Sequence, residues 1–161
     1  MLENYTLDRM ELELLQASAR LQELLGITPT TFAYCCGQTF VGRGVEVRSY
    51  VPLVARHFAV GRGYRAESHN LPGRCDLAQI AGIAFDNMSF AQVRPLVDAA
   101  LEGGGWLVLV GHDVGNPATQ LNTRTSMLHR LCDYLKGKPH IWIDTVAAVG
   151  RHIRDCGCPQ V

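Results

Sequence analysis

Trp106-Leu107-Val108-Leu109-Val110-Gly111-His112-Asp113 constrains this chain more than any other stretch. A Leu/Val run with no polar alternation is what a strand buried on both faces requires, and such strands belong to parallel sheets and barrels. Gly103-Gly104-Gly105 precedes the run and Gly111 closes it, which puts His112 just past a strand's C-terminal end. There α/β folds carry their chemistry. A loop histidine alone is as often structural as functional.

The 161 residues form a single domain, 1–161, large enough for a real core. With 47% hydrophobic and 19% charged residues the composition is globular rather than disordered. Fifteen basic residues balance fifteen acidic ones, which argues against an electrostatic nucleic-acid binder. No apolar stretch approaches membrane-spanning length, and the N-terminus is an acidic amphipathic segment rather than a signal peptide. A cytoplasmic protein with no membrane partner is the expectation for the chain as given.

Cysteines stand at 35, 36, 75, 132, 156 and 158. A domain of this size does not depend on disulfides, and adjacent Cys35 and Cys36 do not read as a simple bridge. Cys156-Gly157-Cys158 has the look of half a metal or redox site, but no second half with zinc-ligand spacing follows. Reduced thiols are expected.

Helices and strands alternate along the chain. Leu7, Met10, Leu14, Ala17, Leu21 and Leu25 recur at helical spacing, with Thr6 to cap the start and Gly26 the end. Further helices are predicted over 49–57, from Ser89-Phe90-Ala91-Gln92 onward as a capping box, through Leu128, Leu131, Cys132 and Leu135, and from Thr145. Strands are predicted over 30–34, 58–60, 80–85, 106–110 and 140–143, with a polar surface loop over 65–76. The fold class is therefore α/β: a mainly parallel sheet with alternating helices, or a partial (β/α) barrel. A long first helix with no strand before it suggests that an N-terminal piece is missing.

Four blocks occur in one order: Phe32-Ala33-Tyr34-Cys35-Cys36-Gly37-Gln38, Asp86 after the third strand, Leu107-Val108-Leu109-Val110-Gly111-His112, and Ile141-Trp142-Ile143-Asp144-Thr145. Together they resemble the C-terminal part of a polysaccharide deacetylase of the chitooligosaccharide-deacetylase superfamily. The resemblance implies a partial barrel and a hydrolase that removes acetyl groups from N- or O-acetylated carbohydrate, weak or inactive as given. It implies His112 as general acid, Asp86 as its orienting carboxylate, and Cys36 as donor of a backbone N–H to the oxyanion. It further implies substrate contacts from Tyr34, Cys35, Leu107, Leu109 and Trp142, with the two leucines around the acetyl methyl. Trp142 has two readings, a sugar-stacking surface or packing within its strand, and Asp144 is a site candidate or a helix N-cap.

The family also binds a zinc-like divalent metal through an Asp and two His, with a second Asp as base. This chain has no Asp-Asp pair, and no two of His57, His69, His112, His129, His140 and His152 lie four apart. The family's ligands are therefore not identifiable here, and substitutes would have to come from Asp86, His112, Asp113 or Asp144. Cys35 stands where the family carries proline. Two other readings stay open: a non-catalytic fragment stabilised by homo-oligomerisation, and a thiol hydrolase with Cys35 or Cys36 as nucleophile, His112 as base and Asp86 as orienter. The expected partners are a small carbohydrate or acetyl-ester substrate and a second copy of the chain, the latter held through Phe32 and Tyr34 or through Leu7, Met10 and Leu14.

Overall fold

The first helix, α1 (Leu7–Leu25), is bounded as its caps dictate. The Thr6 side chain accepts from the Arg9 N–H, and Gly26 turns left-handed at φ 68°, where a side chain would be strained. A computed structural model describes residues 1–116 and 121–156. After α1 come β1 (Thr31–Ala33), β2 (Phe40–Val41), β3 (Arg48–Ser49), α2 (Val51–His57) and β4 (Val60–Arg62). Then follow β5 (Ile83–Ala84), α3 (Phe90–Glu102), β6 (Leu109–Val110), β7 (Asp113–Val114), β8 (Asn122–Thr123), α4 (Thr125–Lys136) and α5 (Val146–Asp155). The chain is thus mixed α/β with five described helices.

Its strands are short and mostly parallel. β1 pairs with β4, β5 with β6 and β7 with β8, all parallel, while β2 and β3 are antiparallel. A parallel bridge between Arg62 and Ile80 links the first two pairs, with Ile80 N–H donating to Gly61 O and Gly63 N–H to Ile80 O, each at 2.8 Å. Four segments, β1, β4, the stretch from Ile80 into β5, and β6, therefore run side by side in chain order. Among the described residues they do not close into a barrel. Their common direction places the residues after Ala33, Arg62, Ala84 and Val110 at one edge.

The Trp106–Val110 run is covered on both faces, as its composition requires. Trp106, Val108 and Val110 pack with Val60, Leu77, Ile80 and Ile153 of α5. Leu107 and Leu109 pack on the other side against Val93 and Val97 of α3 and Met127 and Leu131 of α4. A third cluster joins Met10 and Leu14 of α1 to Tyr34, Val41, Tyr50, Leu53 and Val54.

Two strand expectations are corrected. The second strand lies at 60–62 rather than 58–60, because Gly61 admits the Ala78 carbonyl to the point where a Cβ would stand only 2.3 Å from it. No strand forms over 140–143. Ile141 N–H turns back to Lys138 O, Trp142 and Ile143 are exposed, and nothing pairs with their backbone among the described residues. Trp142 is therefore not strand packing. The polar 65–76 segment is also more than a surface loop. Buried Asn70 accepts from the Ala81 N–H at 2.7 Å and donates to Ala81 O at 3.0 Å and Trp106 O at 3.1 Å, and its backbone bridges Trp106.

Candidate active site

Asp86 and His112 leave adjacent parallel strands at the same edge. Phe85 N–H donates to Val110 O at 3.1 Å, extending the β5–β6 ladder up to the pair. Asp86 follows at once, and Asn87, left-handed at φ 56°, turns the chain away. On β6 the exit is Gly111, where a Cβ would stand 2.6 Å from the Phe85 ring and 3.3 Å from Asp86 Oδ1. Only glycine lets the two exits come this close.

The Asp86 carboxylate uses both oxygens on His112. Oδ1 accepts the His112 backbone N–H at 3.0 Å and Oδ2 lies 2.6 Å from Nδ1. The Asp86 side chain is 5% exposed and that of His112 48%. A carboxylate can only accept, so Nδ1 carries the proton and Nε2 is left as the outward nitrogen. The Tyr64 ring stands edge-on to the imidazole at 5.8 Å and 83°, and the Arg65 guanidinium lies over the Tyr64 ring at 5.4 Å. Two rigid contacts, a carboxylate and an aromatic edge, thus set the ring plane. The chemistry available is proton transfer at Nε2, oriented from behind by a buried anion.

The Cys35-Cys36-Gly37 turn shares this edge. Gly37 N–H donates to Tyr34 O and Gln38 N–H to Cys35 O, both at 2.9 Å, which holds Cys36 left-handed at φ 51°. The Tyr50 hydroxyl braces the turn by donating to Gln38 O at 2.5 Å. A Cβ on Gly37 would lie 3.0–3.3 Å from Tyr64 backbone and Cβ atoms, so the turn touches the residue that packs on His112. Cys35 and Cys36 are exposed. Among the described residues no hydrogen bond joins either thiol to His112.

The other expected contacts lie elsewhere. Tyr34 is buried, donates its hydroxyl to Ala78 O at 2.6 Å, and supports the turn from beneath. Burial raises its hydroxyl pKa, as it does that of Tyr50. Leu107 and Leu109 stand within β6 and its approach, so they project sideways and line a cavity of about 560 Å³ together with Ile141, Trp142 and His152. In that cavity Trp142 donates its indole N–H to Asp144 Oδ2 at 3.3 Å and packs edge-on to His152. Asp144 also accepts the Thr145 N–H at 2.7 Å, while Thr145, not Asp144, caps α5. The expected site therefore separates into an edge holding Cys35, Cys36, Asp86 and His112 and a side cavity holding Leu107, Leu109 and Trp142.

Tyr64 is the site residue that the residue pattern missed. Its signal is its place two residues past the end of β4, which a strand over 58–60 does not reveal. Among the described residues no group of three or more His, Cys, Asp or Glu is placed to hold a metal ion. Asp86 turns both oxygens to His112, Asp144 turns to Trp142 and Thr145, and the four substitutes Asp86, His112, Asp113 and Asp144 are not gathered into one donor group among the described residues. No protein-family model, curated protein or solved structure matches this chain.

Proposed function

We propose that this chain is a hydrolase of the polysaccharide deacetylase type, built on a partial (β/α) barrel and acting on acetyl esters or amides of carbohydrate. The observation that carries the reading is the Asp86–His112 pair, a buried carboxylate on Nδ1 of a half-exposed imidazole at the ends of two parallel strands. In this tautomer Nε2 takes a proton from water as its oxygen attacks the acetyl carbonyl. It then returns the proton to the departing amine or alkoxide as the C–N or C–O bond breaks, releasing acetate. Asp86 stabilises the transient imidazolium and keeps the ring in register. The left-handed Cys36 turn is the candidate source of a backbone N–H for the oxyanion.

No step is routed through a metal, since among the described residues no group of three or more donors is assembled for one. A single histidine contributes about 10²–10⁴-fold, so turnover is expected to be slow. The thiol-hydrolase alternative has less support, since neither thiol is hydrogen-bonded to His112 among the described residues. Acetate release from N-acetylated chitooligosaccharides, O-acetylated xylan and an aryl acetate tests the reading. Release above a buffer control on a carbohydrate supports it, and none on any of the three refutes it.

A further inference from the structure

We propose that Cys35 and Cys36 form a vicinal dithiol site for a soft, thiophilic ligand of the trivalent organoarsenical class. On a strand, neighbouring side chains point to opposite faces. These two residues sit instead in the turn after β1, where Cys36 is left-handed, and alternation is broken. Both thiols are exposed, and both line the same cavity of about 730 Å³, together with Leu2, Tyr5, Thr39 and Phe40. Two sulfurs on adjacent Cα atoms, about 3.8 Å apart, can therefore reach one atom inside that cavity.

The turn that carries them is held by three hydrogen bonds, Gly37 N–H to Tyr34 O, Gln38 N–H to Cys35 O and the Tyr50 hydroxyl to Gln38 O, so little order is lost when a ligand bridges the pair. Capture balances without redox change. Two S–H bonds are exchanged for two As–S bonds, and the arsenoxide oxygen leaves with both protons as water. The second sulfur binds intramolecularly, which raises affinity over a single thiol by about 10²-fold or more. The other described cysteines, Cys75, Cys132 and Cys156, have no adjacent cysteine in the chain.

Phenylarsine oxide is the probe, applied to the intact reduced chain and followed by intact mass. The expected result is one bound phenylarsenic group per chain that resists excess 2-mercaptoethanol and is removed by 2,3-dimercaptopropanol. Cys35→Ser and Cys36→Ser should each lose the monothiol-resistant adduct, while Cys156→Ser/Cys158→Ser keeps it. Retention of the adduct in both single variants, its loss in the Cys156/Cys158 variant, or its complete removal by monothiol would each overturn the proposal. Circular dichroism of the serine variants separates loss of the site from loss of the fold.

Discussion

Asp86 holds His112 at two points, the backbone N–H at 3.0 Å and ring Nδ1 at 2.6 Å, from a position almost closed to solvent. The two residues should therefore act as a unit. Asp86→Asn offers an amide that can donate to Nδ1, which moves the ring proton to Nε2 and removes the outward lone pair. Acetate release should fall about 10²–10⁴-fold, with little further loss in the double variant carrying His112→Ala. Additive losses in the double variant would mean independent roles.

The same relationship separates activity from stability. His112→Ala leaves Asp86 Oδ1 on the backbone N–H and opens Oδ2 to the water that replaces the half-exposed ring, so stability should stay within about 1 kcal/mol of the parent in urea unfolding. Asn70→Ala should cost more. It strips side-chain partners from the Ala81 N–H and carbonyl, while the Trp106 carbonyl keeps the backbone N–H of residue 70. A loss of about 1–3 kcal/mol is expected, with unchanged helix content at low denaturant.

Acid sensitivity should come from two interhelix ties. Glu11 of α1 sits below its ordinary 4.5 because His57 of α2 hydrogen-bonds it and Arg56 adds positive charge. Asp98 of α3 sits below 3.8 because the Tyr134 hydroxyl of α4 donates to it, with Arg94 and Lys138 beside it. Depressed carboxylates contribute stability that is complete above their unfolded values and lost as pH falls through the folded ones. Urea midpoints should fall as pH drops below about 4.5. Glu11→Gln and Asp98→Asn should each flatten that fall, and an unchanged slope in both would remove these ties from the account.

The apolar stripe of α1 outruns its cover. Met10 and Leu14 are buried in the chain's own core, so they cannot also form an interface, but Leu21 and Leu25 on the same stripe are 38% and 62% exposed. Arg20 and Glu23 beside this overhang pair with each other at 2.6 Å. A second copy packed on this overhang would cover the leucines. Light scattering should show a dimer at micromolar concentration, reduced to monomer in Leu21→Glu/Leu25→Glu. A monomeric parent chain would contradict the pairing.

What the residues alone disclosed was local or periodic. Thr6 and Gly26 mark the ends of α1, Gln92 accepts the Ser89 N–H at 2.9 Å as its capping box requires, and the Trp106–Val110 run alternates between two apolar clusters. Asp86 and His112 could be picked out because each ends an apolar run. What stayed hidden depends on distant partners. The place of β4 is set by the Ala78 carbonyl at Gly61, and Asn70 answers to residues 11 and 36 positions away. Ile141-Trp142-Ile143 has strand composition but no neighbour to pair with, and a strand cannot exist alone.

The central claim, that His112 carries the proton for acetyl hydrolysis, is tested most directly by acetate release from an acetylated oligosaccharide by the parent chain and by His112→Ala at matched concentration and fold content. The account predicts slow release by the parent and a rate at the buffer control for the variant. Equal release by both, or none by the parent, would contradict it.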